Sequence, residues 1–206
     1  LFGGKNPEKE YDELSIYDCK SPYSIGKELG TRWVKYYRQM GLFCCYGVLF
    51  NHSNEYRSKD FFIRKVTNAA AQIVLGKIKK IKLGNLSFWR DEHWADFGCE
   101  VMWKMLQMKN PKDYIIANGE THHGEEFLDI SFKYFNLSWK DYVEFDESLI
   151  RPNEVVKLIG NSSLAQKDIG WVPNRISFKE HIERICHFDY AIEKDGVAPK
   201  KDLLVN

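Results

Sequence analysis

No apolar run in this 206-residue chain reaches the roughly 20 residues a membrane-spanning helix needs, so no membrane contact is expected. The stretch Leu1-Phe2-Gly3-Gly4-Lys5 lacks the charged-then-apolar order of a signal peptide. No block of one charge occurs and the formal net charge is +1, which removes the electrostatic footprint of a nucleic-acid binder. The five cysteines, Cys19, Cys44, Cys45, Cys99 and Cys186, form no Cys-x-x-Cys pair. A reduced, cytoplasmic protein without a structural metal is therefore expected. Asn85-Leu86-Ser87, Asn136-Leu137-Ser138 and Asn161-Ser162-Ser163 match the glycosylation pattern and, without a secretory signal, read as chance. Neither an internal repeat nor a low-complexity tract is present. The charged fraction of 29% and apolar fraction of 44% leave an ordinary globular chain, long enough for one good-sized core or a domain with a smaller appendage.

What the sequence does contain is a chemical device at Ser21-Pro22-Tyr23-Ser24-Ile25-Gly26-Lys27. Proline favours a first helical turn, and helical periodicity then places Tyr23 and Lys27 on one face. A phenol has a pKa of about 10, too high for a base at neutral pH. A fixed cation one turn away stabilises the phenolate and makes Tyr23 a candidate acid/base for a sugar or alcohol hydroxyl. The same spacing arises by chance on exposed helices, so a solvated face remains the alternative.

Read in order, residues 5 to 20 are polar and predict a surface loop. Ile25, Leu29, Trp33, Tyr36 and Tyr37 recur at helical spacing, predicting an amphipathic helix from Tyr23 to about Met40. Leu42 to Phe50 is an almost continuous apolar run, as in a strand buried on both faces of a parallel sheet. The polar loop Asn51 to Asp60 follows; beyond the carboxyl end of a strand it is a natural site wall, or else a solvated turn. Phe61 to about Lys77 reads as a helix with Arg64 and Lys65 near its start, where cations oppose the helix dipole. They face an anion such as a phosphate, or form an exposed basic turn.

Ile81 to Leu86 predicts a short strand and turn. Trp94 to Met108 predicts a helix burying Val101, Met102, Met105 and Leu106. Asp113 to Gly119 is another strand and turn, and Thr121 is a suitable cap for a helix reaching about Phe135. His122 and His123 point in different directions with no evident third metal ligand. Tyr142 to Phe145 alternates like a strand, Asn161 caps a helix through Ile169 that Gly170 closes, and a last helix runs from about Ser177 to Tyr190, followed by a polar tail.

Ser-Pro-Tyr-x-x-x-Lys, Gly-Leu-Phe, Leu-Phe-Asn-His, Arg-Lys, Leu-Gly-Asn-Leu, Arg-Asp, Met-Trp, Gly-Glu-Thr-His, Arg-Pro-x-Glu-Val and Gly-Trp-x-Pro, in this order, closely resemble the GDP-mannose 4,6-dehydratase family of extended short-chain dehydrogenase/reductases. The resemblance spans Leu1 to about Asp189. It implies an α/β fold: part of a Rossmann-type parallel sheet with helices, joined to a smaller α/β substrate-binding domain. Residues 1–50 would be the C-terminal part of the NADP-binding domain, 51–193 mainly the sugar-nucleotide region with some segments returning to the first, and 194–206 a tail. The implied activity is conversion of GDP-mannose to GDP-4-keto-6-deoxymannose with NADP. Tyr23 and Lys27 would be catalytic and also touch the cofactor, and His52 and Arg57 would be cofactor contacts only. Substrate contacts map onto Asn51, Lys65, Leu83, Gly84, Asn85, Arg90, Arg151 and Glu154. A homo-oligomer, dimer or tetramer, is also implied.

The sequence departs from the family pattern at several points. Tyr56 stands where the first of two adjacent arginines is usual, Glu92 and His93 replace an aromatic and a glycine, and Phe97-Gly98 replaces an acidic-aromatic pair. No Gly-x-x-Gly-x-x-Gly is present, and the family's catalytic Thr and Glu stand just before the Leu-aromatic-Gly matched by Leu1-Phe2-Gly3. The expectation is a gene product continuing upstream, the first residue not being Met. The competing readings are a non-catalytic sugar-nucleotide-binding or assembly module, and another extended short-chain dehydrogenase such as a nucleotide-sugar epimerase or reductase.

Overall fold

A computed structural model describes residues 1–3, 10–150 and 155–199. The chain runs β1 (Glu10–Tyr11), α1 (Pro22–Gln39), β2 (Gly47–Leu49), β3 (Asn51–Ser53), α2 (Phe62–Val74), β4 (Ile81–Leu83), β5 (Trp89–Arg90), β6 (Glu92–Trp94), α3 (Ala95–Met105), β7 (Tyr114–Ile116), β8 (His122–His123), α4 (Gly124–Lys133), β9 (Val143–Phe145), β10 (Lys157–Gly160), α5 (Ser163–Ile169) and α6 (Phe178–Asp195). This is an α/β fold. It divides into two compact units whose pieces interleave along the chain: Leu1–His52, Phe88–Thr121 and Asn153–Arg175 form the first, and Ser53–Ser87, His122–Pro152 and Ile176–Asn206 the second.

Three strand pairs of the first unit, β2 with β7 and β10 with β1 and β5, are parallel, as expected of part of a Rossmann-type sheet. β2 lies on β7 with Gly47 opposite Tyr114 and Leu49 opposite Ile116. β10 is flanked by β1 and β5, in the registers Glu10 with Ile159 and Lys157 with Trp89. One core cluster joins Val101 and Met105 of α3 to Tyr114, Ile116, Ala165, Ile169 and Trp171; the other joins Phe2, Tyr11, Phe50, Ile115 and Ala117. Helix α1 opens on a reciprocal cap, Ser24 N–H donating to Ser21 Oγ at 3.1 Å and Ser21 N–H to Ser24 Oγ at 3.0 Å, with Pro22 in the first turn. Its far end is fixed by Arg38, which pairs with Asp113 at 2.5 Å and donates through Nε to the Cys44 carbonyl at 2.8 Å.

The second unit packs α2, α4 and α6 with the parallel pair β4 and β9, Ile81 opposite Val143. Val66, Ala69, Ala70 and Ile73 of α2 meet Ile81, Leu83, Leu86, Leu128 and Phe132 in its core. The three- and four-residue spacing on α2 puts these side chains on one stripe.

Several sequence expectations are corrected. Leu42 to Phe50 is not one strand buried on both faces: only Gly47–Leu49 is strand, and Leu42 and Phe43 are exposed, because β7 is the one partner that pairs with it among the described residues. The apolar residues of α1 do not form a buried face either. Ile25, Leu29, Trp33, Tyr36 and Tyr37 are exposed, Thr31 is the one buried residue of the helix, and Trp33, Tyr36 and Tyr37 pack on one another with ring centroids 5.5–6.0 Å apart. On α3, Val101 and Met105 are buried while Met102 and Leu106 are exposed. The polar stretch after β2 begins as strand β3 rather than loop, and the loop expected before Ser21 contains β1, with Tyr11 buried. The cap of α4 is His123, in a reciprocal arrangement with Glu126, not Thr121. The cap position of α5 is Ser162, with Asn161 Oδ1 accepting from Ser163 N–H at 3.0 Å, and Gly170 closes the helix at φ 65°.

Candidate functional site

In the first unit the capped turn presents Tyr23 and Lys27 together. Tyr23 is 74% exposed and the Lys27 ammonium lies 5.5 Å from the centroid of its ring, so phenol and cation share one accessible face. A second phenol stands behind them: Tyr46 donates to the Lys27 carbonyl at 3.4 Å, and burial pushes its pKa up to about 12. Tyr46 is therefore a neutral prop for the helix and not a competing base. Its own backbone N–H donates to Asp113 at 2.8 Å, the carboxylate that also holds Arg38.

Asn51 and His52 lie on β3 and are half-buried. Nδ1 of His52 is 2.9 Å from the Phe50 carbonyl; a carbonyl can only accept, so Nδ1 carries a proton and the ring is held in place by that bond. Arg90 is half-buried, its guanidinium 4.8 Å from the Phe88 ring and donating to the carbonyls of Val155 at 2.8 Å and Trp89 at 2.9 Å.

In the second unit Arg57 lies on the loop after β3, its guanidinium 4.0 Å from the Phe61 ring. Lys65 is half-buried in the first turn of α2. The side chain of Leu83 is in the core, and Asn85 closes a turn by accepting from Ser87 N–H at 3.1 Å. Gly84 between them is required by proximity: a Cβ there would stand 2.7 Å from the Leu149 carbonyl oxygen. Arg151 and Glu154 lie outside the described residues. Arg64 does not face an open anion site; it is buried and paired with Asp189 of α6 at 2.6 Å. Among the described residues no group of three or more His, Cys, Asp or Glu is placed to hold a metal ion, and no helix is long and apolar enough to cross a membrane.

Two features of the first unit escaped sequence reasoning. Asp91, fully buried, accepts from the backbone N–H groups of Asn118 at 2.8 Å, Gly119 at 2.9 Å and Gly160 at 3.2 Å, tying together the ends of β7 and β10. The Arg-Asp pair is visible in sequence, but nothing there marks the carboxylate as a clamp. His93, also buried, has its ring 5.5 Å from His52 and 5.4 Å from Trp171, and a Cβ on residue 98 would come within 3.1 Å of its Nε2. Glycine at 98 thus leaves room for the buried His93 ring.

The sequence profile described as GDP-mannose 4,6 dehydratase matches residues 1–185. The chain belongs to the GDP-mannose 4,6-dehydratase family. Relatives include GDP-mannose 4,6 dehydratase 2 of Arabidopsis thaliana, 40% identical over 196 residues that make up 94% of this chain and 52% of that protein. The Homo sapiens GDP-mannose 4,6 dehydratase is 33% identical over 205 residues, covering 90% of this chain and 55% of the other. The chain spans about half the length of the curated relatives it matches.

Among solved structures, RMD from Pseudomonas aeruginosa complexed with NADPH superposes with a TM-score of 0.77 at 16% identity, over 88% of this chain and 59% of that one. The dTDP-glucose 4,6-dehydratase of Bacillus anthracis in complex with NAD gives 0.78 at 16% identity, over 94% and 59%. At such identities the likeness concerns the fold, which is the Rossmann-like one.

Proposed function

We propose that the protein containing this chain converts GDP-mannose to GDP-4-keto-6-deoxymannose with NADP as cofactor, and that Tyr23 and Lys27 serve the oxidation at C4. The observation that carries the reading is the capped turn in which an accessible phenol and an ammonium lie 5.5 Å apart. A bound nicotinamide would supply the acceptor for the C4 hydride and the hydride that ends at C6. Tyr23 takes the proton of the O4 hydroxyl as that hydride leaves, and Lys27 keeps a positive charge beside the oxygen that alternates between phenol and phenolate. The resulting 4-keto group acidifies the C5 proton; a base takes that proton, the C6 hydroxyl leaves protonated as water, and the C5–C6 double bond so formed takes up hydride at C6 and a proton at C5, no residue of this chain being assigned as the C5 base.

The donor set fits a dinucleotide and a nucleotide sugar. His52 and Arg57, an imidazole and a guanidinium, are assigned to the cofactor by their residue types. Lys65, Arg90 and Arg151 are cations suited to a diphosphate; Asn51, Asn85 and Glu154 are polar groups suited to ribose and guanine, with Leu83 and Gly84 shaping the turn. The cofactor part is assigned to residues 1–50 and the sugar-nucleotide part mainly to 51–193. A dimeric or tetrameric assembly belongs to the same reading.

The test is product analysis of the full-length protein with GDP-mannose and NADP. Formation of a 4-keto-6-deoxy product, and its loss by a factor of about 10² or more in Tyr23→Phe with GDP-mannose binding retained, supports the assignment. Unchanged turnover in Tyr23→Phe overturns it. Binding by calorimetry without any conversion would favour a non-catalytic module, and a C4-epimerised or reduced sugar would place the protein with the epimerases or reductases.

A further inference from the structure

The buried ion pair of the second unit is joined to the loop that carries Arg57. Arg64 is 4% exposed and Asp189 fully buried. The guanidinium forks onto the carboxylate, Nη2 to Oδ1 at 2.6 Å and Nε to Oδ2 at 3.3 Å, and Thr67 Oγ1 donates to the same carboxylate at 2.6 Å. Nη1 points elsewhere. It donates to the backbone carbonyl of Glu55 and, at 2.9 Å, to that of Arg57. One side chain therefore spans from α6 to two carbonyls of the segment before α2.

That segment is a tight turn, Tyr56 N–H donating to Asn54 Oδ1 at 3.0 Å and Arg57 N–H to the Asn54 carbonyl at 3.2 Å. Its second attachment to α6 is aromatic: the Tyr56 ring packs edge-on to Phe188 with centroids 5.6 Å apart, and Phe188 also lies 5.7 Å beneath the Arg64 guanidinium. Two neighbouring residues of α6, Phe188 and Asp189, thus hold the turn from below, one through a ring and one through Arg64. A buried pair of this kind is weak as a source of stability, since desolvation offsets much of the attraction. Its directional fork fixes geometry instead.

We propose that Arg64 and Asp189 are positioning residues that set the conformation of the 54–57 turn and so present the Arg57 guanidinium to the nicotinamide cofactor. This rests on the assignment of Arg57 to the cofactor given above. Lysine at 64 keeps the charge but cannot fork onto a carboxylate and reach two carbonyls at once.

The experiment measures NADPH dissociation constants by fluorescence titration, and amide hydrogen exchange over residues 54–58, in the full-length protein and in Arg64→Lys, Asp189→Asn, Arg57→Ala and Arg64→Lys/Arg57→Ala. Expected are at least about fivefold weaker NADPH binding in Arg64→Lys, faster exchange confined to the turn, and a double variant no weaker than Arg57→Ala alone. Multiplying effects in the double variant, or Arg64→Lys binding NADPH as the unaltered protein does while Arg57→Ala binds it weakly, overturns the proposal. Should Arg57→Ala bind NADPH normally, the cofactor assignment of Arg57 fails; unchanged exchange at 54–58 in Arg64→Lys then separately refutes the positioning. If Arg64→Lys does not fold, Asp189→Asn, which keeps the volume and the Thr67 hydrogen bond, carries the same comparison.

Discussion

The carboxylate of Asp91 and the backbone N–H of Gly119 meet at 2.9 Å, with no side chain of residue 119 involved. The consequence is that the turn after β7 depends on a residue 28 positions earlier. Asp91→Ala removes the acceptor of three backbone donors, of which only that of Gly160 belongs to a buried residue, so the loss is expected at about 1 to 3 kcal/mol. Asp91→Asn keeps one acceptor oxygen and turns an amide against the remaining donors, giving a smaller loss. Urea unfolding of the two variants checks the order; equal stability of Asp91→Ala and the unaltered chain would refute the clamp.

Gly84 is expected to resist any side chain. Its missing Cβ would be 2.7 Å from the Leu149 oxygen and 3.1 Å from the Ile150 nitrogen, both backbone atoms that cannot swing aside. Gly84→Ala is predicted to cost about 1 to 3 kcal/mol by forcing the two segments apart. On the proposed assignment of Asn85 to the substrate, GDP-mannose affinity of the full-length protein measured by calorimetry should also fall.

A pH dependence follows from His181 of α6. It is 2% exposed, and burial, aided by the nearby Arg184 charge, pulls its pKa down from about 6.5 to about 3. The folded chain then holds this imidazole neutral while the unfolded chain protonates it. Its contribution is complete above pH 6.5 and is lost as pH falls through that value toward 3, with a limiting slope of about 1.4 kcal/mol per pH unit. Unfolding free energies of His181→Gln measured between pH 7 and pH 5 should decline less than those of the unaltered chain.

Thiol accessibility gives a further check. All five cysteines are free; Cys99 is exposed, Cys186 is fully buried on α6 and burial pushes its thiol far above the usual range. Cys19 is raised in the same direction, by burial first. An aromatic disulfide reagent should modify Cys99 first and Cys186 only on unfolding. Rapid labelling of Cys186 in the native chain would contradict its place in the core.

The legible parts of this sequence were those fixed by neighbours along the chain. Pro22 after Ser21 gave the start of α1 and put Tyr23 and Lys27 on one face, and Gly170 marked the end of α5. What sequence could not give depended on partners distant in the chain. Trp33 and Tyr36 have the periodicity of a core face, yet periodicity records only that a stripe exists and not what covers it. Arg64 looked like an anion ligand because its partner, Asp189, lies 125 residues away. Leu42 and Phe43 are as apolar as Leu49, but only the latter sits opposite a residue of β7.

The interleaving of the two units bears on how the chain is synthesised and cut. The polypeptide passes between them five times, at residues 52, 87, 121, 152 and 175. A break after residue 52 leaves the second unit with its full set and a break after Arg175 leaves the first with its own, whereas a break at any of the three crossings between leaves both short of a piece. During synthesis neither unit has all its pieces until Arg175 has been added, so α1 must wait for neighbours more than a hundred residues further along the chain.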